Sequence, residues 1–323
     1  EEAPSISEPA IEEATASDIV TDDSRKEDES KENSPIQTQE TNSNKDLNLR
    51  VHFIDVGQGD SILIESNDHA MLIDAGENNQ GKVVVNYLNS LGIKRLDYLI
   101  GTHPHSDHIG GLDDVIRNFD IDKVIMPDVV HTTKTFEDVI DAIAEKNLKI
   151  TRAVSGNQYQ LGSASFDIIA PNSSSYNNLN DYSVVIKLKN GDHSFLFTGD
   201  AEKTSENEML QSGKDLSADV LKLGHHGSST SNQGKFLDAV SPSYAVITLA
   251  KDNKYGHPHK EVISELSKRN ISVLRTDEQG TIIIHSDGQK LDMNNKPVSI
   301  SQQTTQPRQE KDTSNQVSTA DMK

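Results

Sequence analysis

The chain has 323 residues, a formal net charge of −20, and neither cysteine nor tryptophan. The absence of cysteine excludes disulfide bonds and thiolate metal sites, and no apolar run reaches the length of a transmembrane helix. About half of the negative charge lies in the central region, which argues against broad binding to long polyanions unless bound metal ions reverse the charge locally.

The two ends differ from the middle in composition. Residues 1–48 hold 14 acidic and four basic residues, no aromatic residue, and many Ser, Thr, Asn, Gln and Pro. Such a segment buries too little apolar surface to offset its conformational entropy, so we predict a disordered acidic tail there and a second, polar tail over 293–323. The remaining residues, 49–292, are enough for one domain with a single hydrophobic core.

The sequence begins at Glu1, and the acidic tail follows directly. A mature exported protein whose signal peptide has been removed has this appearance, and so does any chain with an arbitrary boundary. We therefore expect a secreted or cell-surface protein, with a cytoplasmic location as the alternative. No pattern in the sequence predicts an obligatory protein partner.

The first half of the central region alternates short strands with helices. β-Rich runs bounded by turn residues predict strands over 51–56, 61–66 and 70–75. Apolar residues at helical spacing, ended by Gly92, predict a helix over 82–92. Strands over 97–102 and 123–127 follow, and then a helix over 135–147, for which Thr135 and Asp138 are the candidate capping pair.

The second half repeats this style without a literal sequence repeat. Strands are predicted over 150–154, 165–171, 183–189, 194–200, 218–224, 244–249, 272–276 and 281–286. Helices are predicted over 201–213, 233–240 and 260–270. Two sheets that each have one helix-covered face pack as helix–sheet–sheet–helix layers, so the fold class is mixed α/β.

The stretch THPHSDHIGG, residues 102–111, follows a predicted strand. His103 and His105 lie two positions apart, so in an extended chain both side chains point to the same side and could hold one metal ion. Asp107 and His108 come where the chain turns towards a helix, which directs a second pair at a neighbouring ion. Imidazole and carboxylate suit zinc or manganese. A surface histidine cluster, or Asp107 as a helix N-cap, is the weaker alternative for so dense a group.

Two further stretches end apolar strands with side chains that can bind metal. In FLFTGDAE, Asp200 lies where a carboxylate could bridge two ions, and an N-cap of the following helix is the alternative. In LKLGHHGS, the neighbours His225 and His226 diverge if the chain is extended. We therefore expect one of them to bind metal and the other to meet substrate, without predicting which. Strands that end at one shared edge would unite all these residues in a two-metal centre.

Together, THPHSDHIGG, FTGD and GHHGS resemble the metallo-β-lactamase superfamily. The stretches FIDVGQGDSILIE, MLIDAG, NDYSVVIKL and YGHPHKEVI make residues 50–287 similar to the metallohydrolase domain of competence DNA-uptake channel proteins of the ComEC/Rec2 type. Phosphorylcholine esterase of the pneumococcal type is a more distant relative. The resemblance implies an αββα sandwich, two divalent metal ions at one edge of the sheets, and hydrolysis by a water that the two ions activate.

The resemblance also implies a role for each matching residue. The first ion would be held by His103 and His105, the second by Asp107, His108 and one histidine of the 225/226 pair, and Asp200 would bridge them. Asp74 would orient ligands, and His257 would contact a substrate phosphate. The predicted catalytic residues are Asp107, Asp200 and His226, with His226 or His257 as the candidate acid or anion contact.

Two features depart from the family pattern. Many members of the superfamily have another histidine ligand before the bridging aspartate, but the region NLNDYSVVIKL has none. We therefore expect a more open first ion, with Asn180, Asp181 or Ser183 nearby or with water filling the gap. Asn180 and Ser183 are candidate substrate-binding residues. The channel proteins carry membrane spans before this domain and residues 1–48 hold none, so the resemblance does not by itself predict a part in DNA uptake.

The stretch YGHPHKEV places His257 and His259 on either side of Pro258, just before a predicted helix. An anion could meet both imidazole and the helix N-terminus there, and a helix-start turn with exposed histidines is the alternative. The sequence as a whole predicts a metal-dependent hydrolase of phosphodiesters: DNA, RNA, a nucleotide or a cell-wall phosphocholine ester. A lactonase or β-lactamase-like hydrolase, and a non-catalytic surface binding protein that keeps the fold, are the alternatives.

Overall fold

The structure, a computed structural model, describes residues 47–300. Most of the two predicted tails, residues 1–46 and 301–323, lies outside the described residues, so their predicted disorder and the export of the protein stay predictions. No helix within residues 47–300 is long and apolar enough to cross a membrane.

Fifteen strands lie within the described residues, most of them short runs rich in β-branched and aromatic side chains. In chain order they are β1 (Leu49–Phe53), β2 (Ile62–Ser66), β3 (His69–Ile73), β4 (Arg95–Ile100), β5 (Asp120–Met126), β6 (Ile150–Arg152), β7 (Gln158–Leu161), β8 (Ala164–Ala170), β9 (Val185–Asn190), β10 (His193–Phe197), β11 (Val220–Lys222), β12 (Tyr244–Ile247), β13 (Ser272–Arg275), β14 (Ile282–Ser286) and β15 (Leu291–Met293). The first sheet has the order β15-β14-β1-β2-β3-β4-β5-β6, and the second has the order β13-β12-β11-β10-β9-β8-β7.

The helices cover the outer faces of the two sheets. They are α1 (Gly81–Ser90), α2 (Ser106–Ile109), α3 (Leu112–Asn118), α4 (Lys134–Glu145), α5 (Lys203–Gln211), α6 (Gly234–Val240), α7 (Lys260–Lys268) and α8 (Thr276–Gln279). One apolar cluster covers the first sheet together with α1, α3 and α4, and another joins the second sheet to α5, α6 and α7. The predicted four-layer αββα sandwich is confirmed.

The main core lies between the two sheets. The rings of Phe53 in β1 and Phe197 in β10 lie 6.1 Å apart across this interface, and Phe166 in β8 belongs to the same cluster. Full burial of each such ring stabilises the fold by roughly 1.5–3 kcal/mol. The packing of this core therefore fixes the position of one sheet against the other, and with it the loops at the sheet edges.

Parallel strands bring the predicted metal-binding stretches to one edge of the sandwich. In the first sheet β3 to β6 run parallel, and in the second sheet β10 to β13 run parallel. The carboxyl ends of each set therefore lie at one edge of its sheet. The two edges meet, because Asp200 after β10 lies against His108 after β4.

Several predicted elements differ from the structure in detail. Thr133, not Thr135, caps α4, because the helix begins one residue earlier and the Thr133 hydroxyl accepts a hydrogen bond from Phe136 N. Asp200 is not an N-cap either, since α5 begins at Lys203. Strands β7 and β15 were not predicted. The C-terminal tail was predicted to begin at residue 293, which is wrong for residues 293–300. β15 ends at residue 293, and beyond it a backbone bridge joins residues 273 and 298.

The helix predicted after the THPHSDHIGG stretch is in fact two short helices, α2 and α3. Two backbone groups that would continue α2 bond to neighbouring loops instead. The carbonyl of Asp107 accepts from Asp60 N at 3.1 Å, and Gly111 N donates to Gly76 O at 3.1 Å. These bonds break the helical hydrogen-bond ladder and anchor the stretch to the loops before β2 and after β3.

Candidate metal centre

Asp74, which follows β3, anchors the THPHSDHIGG stretch. It is fully buried with a left-handed backbone, φ 57°, a conformation that aspartate adopts more readily than most residues. Its carboxylate accepts hydrogen bonds from Thr102 N (2.8 Å), Thr102 Oγ1 (2.7 Å) and His108 Nδ1 (2.8 Å). Asp74 therefore fixes the start of the stretch and the ring of His108, a placement that fits the orienting role predicted for it.

His103 and His105 point to the same side of the chain, as their spacing predicts. Their rings lie 4.8 Å apart, and His103 Nε2 is 3.0 Å from His105 Nδ1. His103 is fully buried, whereas His105 is partly exposed at the start of α2. The pair therefore reaches from the interior to the protein surface.

Asp200 lies at the centre of four histidine rings. Its Oδ1 atom is 3.1 Å from His108 Nε2 and 3.5 Å from His226 Nε2. Its Oδ2 atom is 3.9 Å from His103 Nε2 and 3.7 Å from His225 Nε2. Each carboxylate oxygen thus faces its own pair of histidines, and this is how a carboxylate that bridges two metal ions is placed.

A tight turn at Gly224–Gly227 lets two adjacent histidines reach one carboxylate. His225 and His226 both have left-handed backbone, with φ of 50° and 53°, which costs of order 1–3 kcal/mol per residue. We expected the two side chains to diverge, and this is wrong because the chain turns here instead of running extended. The bond from His225 N to Gly199 O, 3.1 Å long, helps to hold the turn.

Each of the four histidines also has a partner at Nδ1, away from Asp200. A donating Nδ1–H leaves the lone pair of Nε2 free, the form in which imidazole binds a metal ion. The Nδ1 partners are Thr102 Oγ1 for His103, the Asp74 carboxylate for His108, Glu202 Oε1 for His225 and the Thr248 carbonyl for His226.

Three buried polar atoms at the centre have no hydrogen-bond partner: His108 Nε2, His226 Nε2 and Asp200 Oδ1. An unpaired buried polar atom costs about 1–3 kcal/mol, so this arrangement calls for a further ligand. Asp107 completes the group, because ligand atoms of Asp107, His108, Asp200 and His226 all lie within 4.8 Å of one another. Two imidazoles and two carboxylates fit a divalent metal ion.

The charges at the centre shift the pKa values of its members. Burial opposes the protonation of His108, but the Asp200 and Asp107 carboxylates outweigh it and raise the pKa of His108 well above its usual value. Burial alone would raise the pKa of Asp200, yet His108 and His226 hold it well below its usual value. A metal ion would compete with the proton on His108, so we expect metal binding to weaken as the pH falls.

Behind the histidines lies an ion pair that no sequence motif predicted. Lys222 and Asp60 are 0% and 1% exposed, and Lys222 Nζ is 2.8 Å from Asp60 Oδ2. The Asp60 carboxylate also accepts from Thr248 Oγ1 and lies 3.5 Å from His226 Nδ1. The pair joins the edges of the two sheets directly behind a predicted metal ligand. Its only signal in the sequence is a lysine inside the apolar run VLKL.

The centre opens into a cavity of about 320 Å³. Six predicted site residues line it, and four other lining residues were not predicted. The first group is His105, Asp107, Asp200, His225, His226 and His257, and the second is Gln58, Glu77, Ser106 and Tyr255. Burial, together with the nearby His226 and His225, lowers the pKa of His257 to about 4. His257 is therefore neutral at pH 7 and can meet an anion only as a hydrogen-bonding group.

Asn180 and Ser183, our candidate substrate-binding residues, do not line the cavity. Both are buried, in and just after the turn Leu179–Tyr182. Ser183 Oγ accepts from Asp200 N at 3.0 Å and lies 3.4 Å from His103 Nδ1. Asn180 Nδ2 donates to Glu202 Oε1 at 2.9 Å. Both residues thus hold members of the centre in place, and their contact with substrate stays a prediction.

Known proteins share this sequence pattern. The family model for the metallo-beta-lactamase superfamily matches residues 54–250. ComE operon protein 3 of Bacillus subtilis is 33% identical over 250 residues, Competence protein ComA of Neisseria gonorrhoeae 32% over 230, and Recombination protein 2 of Haemophilus influenzae 29% over 241. These alignments cover 72%, 71% and 73% of this chain but 32%, 31% and 29% of the relatives. The chain thus spans less than a third of the length of each.

Proposed function

The chain belongs to the metallo-β-lactamase superfamily, and from this premise we propose that it is a metal-dependent phosphodiesterase acting on nucleic acids or nucleotides. The observation that carries the proposal is the placement of Asp200, whose two oxygens each face a pair of histidine Nε2 atoms. The names of similar proteins refer to competence and recombination, which favours nucleic acid over other phosphodiesters.

We assign the second ion to Asp107, His108, His226 and Asp200 Oδ1, the group whose ligand atoms converge within 4.8 Å. Two of these residues, His108 and His226, have their Nδ1 atoms engaged by hydrogen bonds that orient the rings. Loss of such orienting partners typically lowers metal affinity 10- to 100-fold.

We assign the first ion to His103, His105 and Asp200 Oδ2. The superfamily pattern has a further histidine on this side that the sequence lacks. His225 Nε2 lies 3.7 Å from the same Oδ2 atom, so we propose that His225 occupies this side of the first ion. Its Nδ1 is held by Glu202, and the hydrogen bond from His225 lowers the pKa of Glu202, which keeps that carboxylate charged.

Two divalent ions, zinc or manganese, would supply an activated water and neutralise charge on the phosphoryl oxygens. The protein's own groups fix and complete this chemistry. His226 was a candidate acid, but its Nδ1 donates to Thr248 O and its Nε2 lies among the ligand atoms. Neither nitrogen is free to reach a leaving oxygen. His257, neutral and in the cavity wall, is the imidazole that can hydrogen-bond to the substrate phosphoryl group.

The test compares the metal-loaded wild type with Asp200→Asn on bis(p-nitrophenyl) phosphate and on single-stranded DNA. We expect wild-type hydrolysis that EDTA abolishes and that zinc or manganese restores. Asp200→Asn should lower kcat/KM by about 100-fold or more, because the bridging charge is lost. Asp68→Asn, which alters an exposed carboxylate between β2 and β3, is the control and should behave as wild type.

Other outcomes would assign the protein to a different functional class. A metal-loaded wild type that hydrolyses no ester, or an Asp200→Asn variant that matches it, would contradict the proposal and favour a binding protein that keeps the fold. Turnover of nitrocefin or of a phosphocholine ester without turnover of DNA would place the substrate among β-lactams or choline esters instead.

A further inference from the structure

Tyr255 is a large side chain at the cavity that the fold does not bury. It is 49% exposed, yet it lines the same cavity as Asp200. Its ring stacks on that of His257, with centroids 5.6 Å apart and an interplanar angle of 24°. The His257 ring in turn lies 5.5 Å from the ring of His225. A series of rings therefore leads from the protein surface to the candidate metal ligands.

Hydrogen bonds hold the loop that presents Tyr255. The Asn253 side chain donates to His257 O at 2.7 Å and accepts from His257 N at 2.9 Å. His259 Nδ1 accepts from Ser229 N at 2.9 Å, so its Nε2 carries the proton and donates to the Tyr255 carbonyl at 3.3 Å. The loop is thus tied at both ends, and the aromatic ring is preorganised before any ligand binds.

The same loop carries two exposed lysines, Lys251 and Lys254. The Lys254 ammonium lies 5.0 Å from the centroid of the Tyr255 ring. The exposed Asp252 lies between the two lysines, but it is Lys254 that places an ammonium beside the ring that lines the cavity. An ammonium already beside the ring disfavours a cationic choline group there, whereas a flat base with a neighbouring phosphate complements both the ring and the ammonium.

We propose that Tyr255 sets the substrate specificity by stacking on the nucleobase next to the scissile phosphodiester, while Lys254 neutralises the adjoining phosphate. This inference rests on the proposed phosphodiesterase function. Stacking of a base on an aromatic side chain changes affinity by about 5- to 150-fold, the equivalent of about 1–3 kcal/mol at 1.4 kcal/mol per factor of ten. A tyrosine ring loses little conformational entropy on binding, since only two side-chain torsions are fixed.

The experiment compares a single-stranded DNA hexamer with an abasic hexamer that has the same phosphates and no bases. For each variant the ratio of the two kcat/KM values measures recognition of the base. We expect Tyr255→Ala to lower this ratio by about 5- to 150-fold, mainly through KM, and Tyr255→Phe to keep it. Fluorescence anisotropy of labelled hexamers on metal-stripped protein supplies a binding ratio that needs no turnover.

Lys254→Ala should weaken the binding of both hexamers alike, because a contact to phosphate does not depend on the base. The loss of affinity should shrink as salt is added, because the contact is electrostatic. Lys149→Ala is the matched control. Lys149 is an exposed lysine just before β6, and β6 runs parallel to β5, so Lys149 lies at the sheet edge opposite the cavity. It should behave as wild type on both hexamers.

The outcomes separate this inference from the proposed function. A Tyr255→Ala variant with an unchanged ratio, or with equal losses on both hexamers, would overturn the stacking role even while the wild type remains a phosphodiesterase. If the wild type hydrolyses neither hexamer, the proposed function fails and the anisotropy ratio alone decides the stacking. A preference for p-nitrophenyl phosphorylcholine that depends on Tyr255 would show that the ring binds a cation, and would also overturn the inference.

Discussion

Two lysines are buried among the described residues, and they differ in where their partners lie. Lys222 and Lys187 are 0% and 2% exposed. Lys222 Nζ pairs with Asp60 at 2.8 Å, and Lys187 Nζ pairs with Asp215 at 2.6 Å. The Asp60 side chain is 2% exposed, whereas that of Asp215 is 64% exposed. Changing each lysine to methionine removes one buried ammonium while it keeps much of the side-chain volume.

The expected costs follow from what remains after each change. Lys222→Met leaves the Asp60 carboxylate buried without its cation, and breaking a buried pair in this way costs about 3–5 kcal/mol. Lys187→Met leaves Asp215 in contact with water, so we expect a loss below about 1 kcal/mol. Asp60→Asn combined with Lys222→Met removes both charges and should recover part of the stability that Lys222→Met loses.

Urea unfolding at pH 7 in EDTA measures these differences without a contribution from metal binding. The midpoints should shift while the slope stays constant, since the surface exposed on unfolding does not change. Equal destabilisation by Lys222→Met and Lys187→Met would refute the reasoning that the burial of the partner sets the penalty. A double variant no more stable than Lys222→Met would show that the unpaired carboxylate is not the source of the loss.

Three further predictions concern the metal ions, the loop before β2 and a carboxylate outside the centre. Elemental analysis should find one metal ion fewer per chain in His226→Ala than in the wild type. His225→Ala should keep both ions but bind one of them more weakly. Unchanged metal content in His226→Ala would contradict our assignment. Gly59→Ala should lower zinc affinity by about 10-fold or more in calorimetric titration, because a Cβ there would lie 2.0 Å from the carbonyl oxygen of Asp107. Gly57→Ala, also at positive φ but with nothing within 4 Å of the new Cβ, should change the affinity little, and equal effects would point to backbone strain alone. Glu65→Gln should destabilise the protein by about 1–3 kcal/mol at pH 7. Burial would raise the pKa of Glu65, but the hydrogen bond from a buried histidine and the charge of a neighbouring arginine lower it. The stabilisation is therefore present above the unfolded pKa and lost as the pH falls through the folded pKa. Urea unfolding should show the gap between variant and wild type closing below about pH 4.5, and a constant gap would argue against this linkage.

Local sequence patterns predicted the layers of the fold and most of the centre. The alternation of apolar and polar residues in strands and the helical spacing of apolar residues depend on neighbours in the chain, so both could be recognised from the sequence alone. The same holds for His103 and His105, whose two-residue spacing alone places them on one side. The dense stretch after β4 and the aspartate after β10 were recognisable because ligand-type residues ended apolar strands.

The parts that sequence reasoning missed depend on how the two sheets pack. Lys222 and Asp60 are far apart in the chain, and nothing local shows that their side chains meet between the sheet edges. The orientation of His225 depends on a left-handed turn, which no histidine pattern signals. The hydrogen bond that Ser183 Oγ accepts from Asp200 N likewise depends on the packing of its turn, and no local pattern indicates it.

The centre couples metal binding to the packing of the two sheets. The first sheet supplies Asp74 and the THPHSDHIGG stretch, and the second supplies Asp200 and the turn with His225 and His226. This junction holds unpaired buried atoms and two left-handed histidines, each of which destabilises the fold. Any metal ion that binds the assembled junction would stabilise the folded state by mass action and would offset these costs. The metal-loaded protein should therefore be more stable than the metal-free one by an amount that grows with free metal concentration, and a midpoint of unfolding independent of zinc would mean that the junction does not bind the ion as a unit.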